Sequence, residues 1–176
     1  MPKEREGIVT VKGSPLTLLG RELQLGQKAP DFIVRRDVTP DSEYTLATDR
    51  GKTRILSVAP SLDTAVCDQQ GRRFNQEAAN LGDDVVIVTI SMDLPPAQAR
   101  WCEAAGIDRI ITTSDYYDHS FGLAYGLRIK ELGLLARAVI ILDPDDIVRY
   151  IQIVPELPEL PNFEAVLVAA REVMSQ

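Results

Sequence analysis

Thiol chemistry is the first possibility that the residue types allow. The 176-residue chain contains two cysteines, Cys67 and Cys102, and one histidine, His119. A zinc site would need an added carboxylate, and the Cys and His spacing matches no common zinc pattern. A Ser-His-Asp triad would lack its G-x-S-x-G elbow. Neither a G-x-x-x-x-G-K-[ST] loop nor a G-x-G-x-x-G fingerprint is present, so no metal or nucleotide cofactor is expected.

Cys67 has the more informative surroundings. It stands three residues after Thr64, at the head of a helical pattern. With Thr64 as N-cap, the hydroxyl is expected to accept a hydrogen bond from the Cys67 N–H. Unpaired N–H groups and the helix dipole favour a thiolate there. The neighbouring Asp68 opposes that charge, so a reactive thiol needs a cation nearby. Arg137 is the candidate, because it interrupts two apolar runs at the mouth of a strand expected to be buried. A buried Arg needs a fixed partner, and a carboxylate would serve as well as a thiolate. Cys67 itself could simply fill an apolar helix stripe.

Other polar residues read more plainly. Arg72 and Arg73, five and six positions after Cys67, point away from it and look like a solvated face. Cys102, beside Trp101, reads on its own as a packed helical residue. His119 reads as a solvated or hydrogen-bonded loop residue. Asp143, Asp145 and Asp146 fit a turn around Pro144 better than a calcium site.

The elements that must position these groups follow from periodicity. Ile8–Val11 and Leu16–Leu19 form an opening β-hairpin around the turn signal Gly13-Ser14-Pro15. An extended Asp31–Val34 follows. Short β-branched runs at Arg54–Ala59, Val85–Ser91, Arg109–Thr112, Ala138–Leu142 and Ile147–Val154 predict strands. From Thr64 to Leu81, the residues Cys67, Gly71, Phe74, Ala78 and Leu81 fall on one helical stripe. Pro95 to Ala105 predicts a second helix, opened by Pro and stopped by Gly106. Phe163, Val166, Leu167, Ala170 and Met174 mark a C-terminal one. Strand–helix–strand–helix–strand implies parallel crossovers. The Asp143–Asp146 turn then makes an antiparallel hairpin before the last helix. A βαβ half joined to a ββα half is a thioredoxin-like α/β fold, with a mixed central sheet flanked by helices and an N-terminal β-hairpin.

Composition limits the partners. Hydrophobic residues make up 45% and charged residues 26%, as in an ordinary globular protein, and the length suits one domain spanning residues 1–176. The net charge of −7 lacks the basic face that nucleic acid requires. No apolar run approaches a membrane span, and no apolar signal region follows Met1–Gly7, so a cytoplasmic location and no membrane partner are expected.

Three motifs carry a family resemblance. Pro60-Ser61-Leu62-Asp63-Thr64-Ala65-Val66-Cys67 resembles the P-x-x-x-T-x-x-C loop of the peroxiredoxins, and within them that of the thiol peroxidase subfamily. Arg72-Arg73-Phe74-Asn75 continues the likeness. The stretch from Ser91 to Cys102 resembles the subfamily's second-cysteine signature, and Ile129 to Ala138 its Arg-bearing segment. The likeness runs from Gly13 to the C-terminal helix.

The resemblance implies an atypical two-cysteine peroxidase that reduces hydrogen peroxide and organic hydroperoxides. Cys67 would attack the peroxide and become a sulfenic acid. Thr64 would orient the reactants, Arg137 would stabilise them, and Pro60 would shield them. Cys102 would resolve the sulfenic acid as an intrachain disulfide, and thioredoxin would reduce it. A homodimer is implied, and neither metal nor flavin is required. A domain of this size needs no permanent bridge, and the cytoplasm would reduce one. A thioredoxin-like disulfide oxidoreductase is disfavoured because Cys67-Asp68-Gln69-Gln70 lacks a C-x-x-C pair. A non-enzymatic redox sensor or binding module using a Cys67–Cys102 switch is the alternative.

Two positions depart from the family pattern. Gly71 replaces the usual Thr or Ser, and Pro96 the usual Phe. Gly71 is expected to ease melting of the Cys67 helix, and Pro96 to stiffen the helix that carries Cys102.

Overall fold

A computed structural model describes residues 1–176. Strands β1 (Glu4–Val11) and β2 (Ser14–Leu19) form the opening antiparallel hairpin. Its turn is Lys12-Gly13, both at positive φ, the backbone twist that joins hairpin strands well. The turn signal at Gly13-Ser14-Pro15 therefore falls late, since Ser14 and Pro15 already pair with Val11 and Thr10.

Next come β3 (Val34–Arg35), β4 (Glu43–Tyr44), β5 (Thr53–Val58), α1 (Ala65–Leu81), β6 (Val85–Ser91), α2 (Pro95–Ala105) and β7 (Ile111–Ser114). The chain continues through α3 (Ser120–Ala124), β8 (Arg128–Ile129), β9 (Ala138–Leu142), β10 (Val148–Ile153) and α4 (Phe163–Met174). Seven strands form one sheet in the order β10-β9-β5-β6-β7-β3-β4, and β8 joins the hairpin in a second sheet. The β5–β6 and β6–β7 pairs are parallel, whereas β9 runs antiparallel to β5. This is the thioredoxin-like arrangement that the element order predicts.

All six residues of β5 are buried. Covered on both faces, the strand buries polar Thr53, Arg54 and Ser57 together with Ile55, Leu56 and Val58. Its two faces feed separate cores. Ile55 joins Phe74, Ile87, Val139 and Val166 under α1 and α4, where the Phe74 and Phe163 rings meet edge to face with centroids 5.3 Å apart. Leu56 and Val58 face Leu18, Phe32, Phe121 and Ile129 beneath the hairpin and α3. Each fully buried Ile, Leu or Phe contributes roughly 1.5–3 kcal/mol of transfer free energy. Right-handed crossovers place α1 and α2 on one sheet face, where Trp101 of α2 rests against Gly71 of α1. None of the helices is long and apolar enough to cross a membrane.

The second helix runs from Pro95 to Ala105 as predicted, ending at Gly106 in the left-handed region. The next strand starts two residues later than the sequence suggests. The Asn75 side chain on α1 accepts hydrogen bonds from the N–H groups of Asp108 and Arg109, holding them in the connector. Of Asp31–Val34, only Val34 enters a strand.

Candidate active site

Cys67 is the third residue of α1 and is fully buried. Thr64 does occupy the N-cap position, with extended backbone angles, but its side chain does not cap the helix. The hydroxyl instead donates to the Ser61 carbonyl at 3.0 Å, which corrects the expected bond to the Cys67 N–H. Thr64 thereby closes the turn that leads into the helix. The first-turn N–H groups keep no acceptor from this side chain, so the positive end of the helix stays available to an anion.

Arg137 lies just before β9 and is only 2% exposed. Its Nη1 donates to Cys67 Sγ at 3.4 Å and to Gln70 Oε1 at 2.9 Å. Its Nε and Nη2 donate to the Leu157 carbonyl at 3.1 and 2.9 Å. None of the molecule's ion pairs includes Arg137. Every fixed acceptor of this buried cation is neutral unless Cys67 ionises. The guanidinium is therefore placed to attract negative charge developing at the Cys67 sulfur.

Gln70 was not recognisable as a site residue from the sequence. It is buried one turn after Cys67, and its Nε2 donates to Ser57 Oγ at 2.9 Å and to the Val58 carbonyl at 3.3 Å. Those bonds fix the amide so that its oxygen faces Arg137. The available signal was a polar residue on the buried side of an amphipathic helix, three positions from a cysteine.

Asp68 does not confront the thiol unopposed. Although partial burial works against its charge, hydrogen bonds from Arg72 and Trp101 hold its carboxyl below the usual carboxylate range. Arg72 Nε donates to both Asp68 oxygens, at 3.0 and 2.9 Å. Arg72 is thus half-exposed but engaged, rather than simply solvated. Arg73 pairs with Glu77 and Glu164.

Pro60, Thr64 and Arg137 share the wall of a pocket of about 220 Å³. Val11, Ala65, Val66, Leu134, Leu157 and Pro158 complete a largely apolar lining. The loop preceding the helix is braced from β6. Asp93 accepts from Ser61 Oγ at 2.7 Å, the Leu62 N–H at 2.8 Å and Ser91 Oγ at 2.7 Å. Buried Cys67 lies behind the pocket wall and is not among the lining residues. Two larger polar hollows border the Asp143–Asp146 turn. In that turn Asp143 accepts from the N–H groups of Asp145 and Ile147 and from Arg149, while Asp146 pairs with buried Arg54.

Cys102 lies apart from this group. Its half-buried Sγ sits 3.7 Å from Thr112 Oγ1 on β7, and both cysteines are free thiols. Burial pushes the Cys102 thiol up, with the Thr112 contact working against that shift. His119 belongs to the turn before α3, where burial and then Arg128 lower its pKa against the opposing pull of Asp118. The structure therefore gathers Pro60, Thr64 and Arg137 around the Cys67 segment and leaves Cys102 on a neighbouring helix.

Residues 24–167 match the Redoxin family. The chain is 52% identical over 166 residues to a thiol peroxidase from Bacillus subtilis, covering 94% of this chain and 98% of that protein. It is 48% identical over 167 residues to a thiol peroxidase from Halalkalibacterium halodurans, again covering 94% and 98%. A peroxiredoxin-like protein from Aquifex aeolicus superposes with a TM-score of 0.86 at 35% identity, over 96% of this chain and 99% of the other. A thiol peroxidase structure from Chromobacterium violaceum shares the fold, with a TM-score of 0.82 at 19% identity, over 96% and 97% of the two chains. With its buried Cys67–Arg137 pair, this chain belongs to the Redoxin family, and within it to the thiol peroxidases.

Proposed function

We propose that Cys67 is the peroxidatic thiol of this peroxidase and that Cys102 resolves it. The observation that carries the assignment is the Arg137 Nη1 to Cys67 Sγ contact of 3.4 Å, made by a guanidinium with no carboxylate partner. Arg137 favours the Cys67 thiolate and the negative charge that spreads over the peroxide as its O–O bond lengthens. Thiolate sulfur attacks one peroxide oxygen, the O–O bond breaks, and the leaving oxygen takes a proton to become water or an alcohol. Cys67 is oxidised to a sulfenic acid while the peroxide is reduced. Thr64, on the pocket wall, orients the incoming peroxide, and Pro60 keeps water from the reacting atoms.

The Cys102 sulfur then attacks the Cys67 sulfenic sulfur. An S–S bond forms, the S–O bond breaks, and the departing hydroxide leaves as water with the Cys102 proton. Thioredoxin returns both thiols by dithiol–disulfide exchange. Hydrogen peroxide and organic hydroperoxides are the proposed substrates, the cytoplasm the proposed location, and residues 1–176 a single domain. The family resemblance supports a homodimer, and the acidic charge argues against a nucleic-acid partner.

The test is peroxide consumption coupled to thioredoxin, thioredoxin reductase and NADPH. Cys67→Ser is expected to abolish turnover, because a hydroxyl is hardly ionised near neutrality. Cys102→Ser is expected to retain one oxidation of Cys67 and lose thioredoxin-dependent cycling. Undiminished cycling in either variant would overturn the corresponding assignment.

A further inference from the structure

Trp101 is the chain's only tryptophan and stands beside Cys102, yet its bonds run to the other thiol helix. Its Nε1 donates to Asp68 Oδ1 at 2.7 Å, and Asp68 is the neighbour of Cys67. Arg72 holds the same carboxylate and extends Nη1 to the Ala105 carbonyl at 3.5 Å, near the end of α2. The indole needs room on α1 to make this reach. A Cβ at Gly71 would lie 2.4 Å from Trp101 Cη2 and 2.8 Å from Cζ2, closer than a real Cβ approaches anything. Gly71 is helical, so no unusual backbone angle calls for glycine there. The glycine leaves room for the indole, a packing role beside the expected easing of helix melting.

We propose that Gly71, Asp68 and Trp101 form a clasp between the two thiol helices, which must open before Cys67 and Cys102 can join. Trp101 is thus a positioning residue for the resolving step. This inference rests on the assignment of Cys102 as the resolving thiol.

The topology supplies the reason. Cys67 Sγ meets Arg137 at the β9 side of the sheet, and Cys102 Sγ meets Thr112 on β7. Strands β5 and β6 lie between β9 and β7. A disulfide requires Cβ atoms within about 3.5–4.5 Å of one another, so at least one thiol segment must leave its place. Asp68 and Trp101 adjoin the two sulfurs in sequence, so such a movement displaces one end of their hydrogen bond. The bond exists in the dithiol form and holds back opening, so its loss speeds disulfide formation. The peroxide step is read separately, because Trp101 also helps to hold the Asp68 charge beside Cys67.

Single-turnover oxidation with one equivalent of hydrogen peroxide, quenched rapidly and read by thiol trapping and mass spectrometry, separates the steps. In Trp101→Phe, which keeps a ring but loses the N–H, disulfide formation is expected to rise by ~3-fold or more. Gly71→Ala is expected to do the same by displacing the indole, although alanine strengthens the helix. The double variant is expected to be no faster than the faster single one, because both remove one contact. Disulfide formation is timed from the sulfenic acid that each variant accumulates, so a change in the peroxide step does not enter the comparison. Unchanged or slower disulfide formation in Trp101→Phe, or additive effects in the double variant, would overturn the clasp. Cys102→Ser in the same experiment tests the underlying assignment separately. A Cys67 sulfenic acid that still disappears at the wild-type rate there would remove Cys102 from the resolving role, whatever the clasp variants do.

Discussion

Arg137 has a charge that no carboxylate meets, and this makes its neutral partners important. Gln70 holds the guanidinium through an oxygen while its nitrogen is fixed by Ser57 and Val58. Gln70→Met removes that acceptor and leaves a buried N–H of the cation without a partner. Loss of a hydrogen bond to a charged group costs ~1.5–3 kcal/mol, so the peroxide step is expected to slow by ~10-fold or more. Single-turnover kinetics of Cys67 oxidation measure it, and an unchanged rate would show that Arg137 is held well enough by Leu157 alone. Gln70→Glu tests charge rather than geometry. A carboxylate there would become the counter-ion of Arg137 and weaken its attraction for negative charge at the Cys67 sulfur, so the peroxide step is expected to slow. An undiminished single-turnover rate would contradict that reading. The Cys67–Arg137 pairing was an open alternative in the sequence, because an isolated Arg gives no indication of its partner. Gln70 was hidden for a related reason: a polar residue near a helix start ordinarily reads as surface.

At the scale of elements, the segment before α1 depends on Asp93 beyond β6. Its carboxylate receives two hydroxyls and the Leu62 N–H, so it connects the Pro60–Leu62 turn to the strand that leads into α2. Asp93→Ala is expected to destabilise the fold by ~1–3 kcal/mol through the donors left unpaired. Faster hydrogen exchange at Leu62 should accompany the loss. Unchanged exchange there would mean that the turn is held by its other contacts. Much of this framework was legible. Pro95 and Gly106 mark the two ends of α2, and the β-branched runs locate the central strands. The start of β7 was not legible, because its delay depends on Asn75, more than thirty residues away in sequence. The Thr64 hydroxyl was misread for a similar reason: a good capping residue also has a local carbonyl, that of Ser61, within reach.

Across the whole molecule, two cores on opposite faces of one sheet frame the site, while one acid adds a pH dependence away from the thiols. Burial raises the Asp115 carboxyl from 3.8 to about 6, against the hydrogen bonds from the Gly122 and Phe121 N–H groups. With its folded pKa above the unfolded one, the native state binds more protons than the unfolded chain between these values. The stability it contributes is therefore fully present below about pH 4 and is lost as the pH rises through about 6. Wild type is expected to gain stability relative to Asp115→Asn when the pH falls from 7 to ~4, as read from urea midpoints. A difference between the two proteins that stays constant over this range would contradict the assignment.

Arg137 is proposed to stabilise the negative charge at the Cys67 sulfur and on the peroxide as the O–O bond breaks. With only two cysteines in the chain, Cys102→Ser leaves Cys67 as the sole thiol. Single-turnover oxidation of that variant by hydrogen peroxide, with and without Arg137→Met, tests this most simply. Sulfenic acid formation is expected to slow by ~10-fold or more when Met replaces Arg137. Equal rates in the two proteins would overturn the role of Arg137.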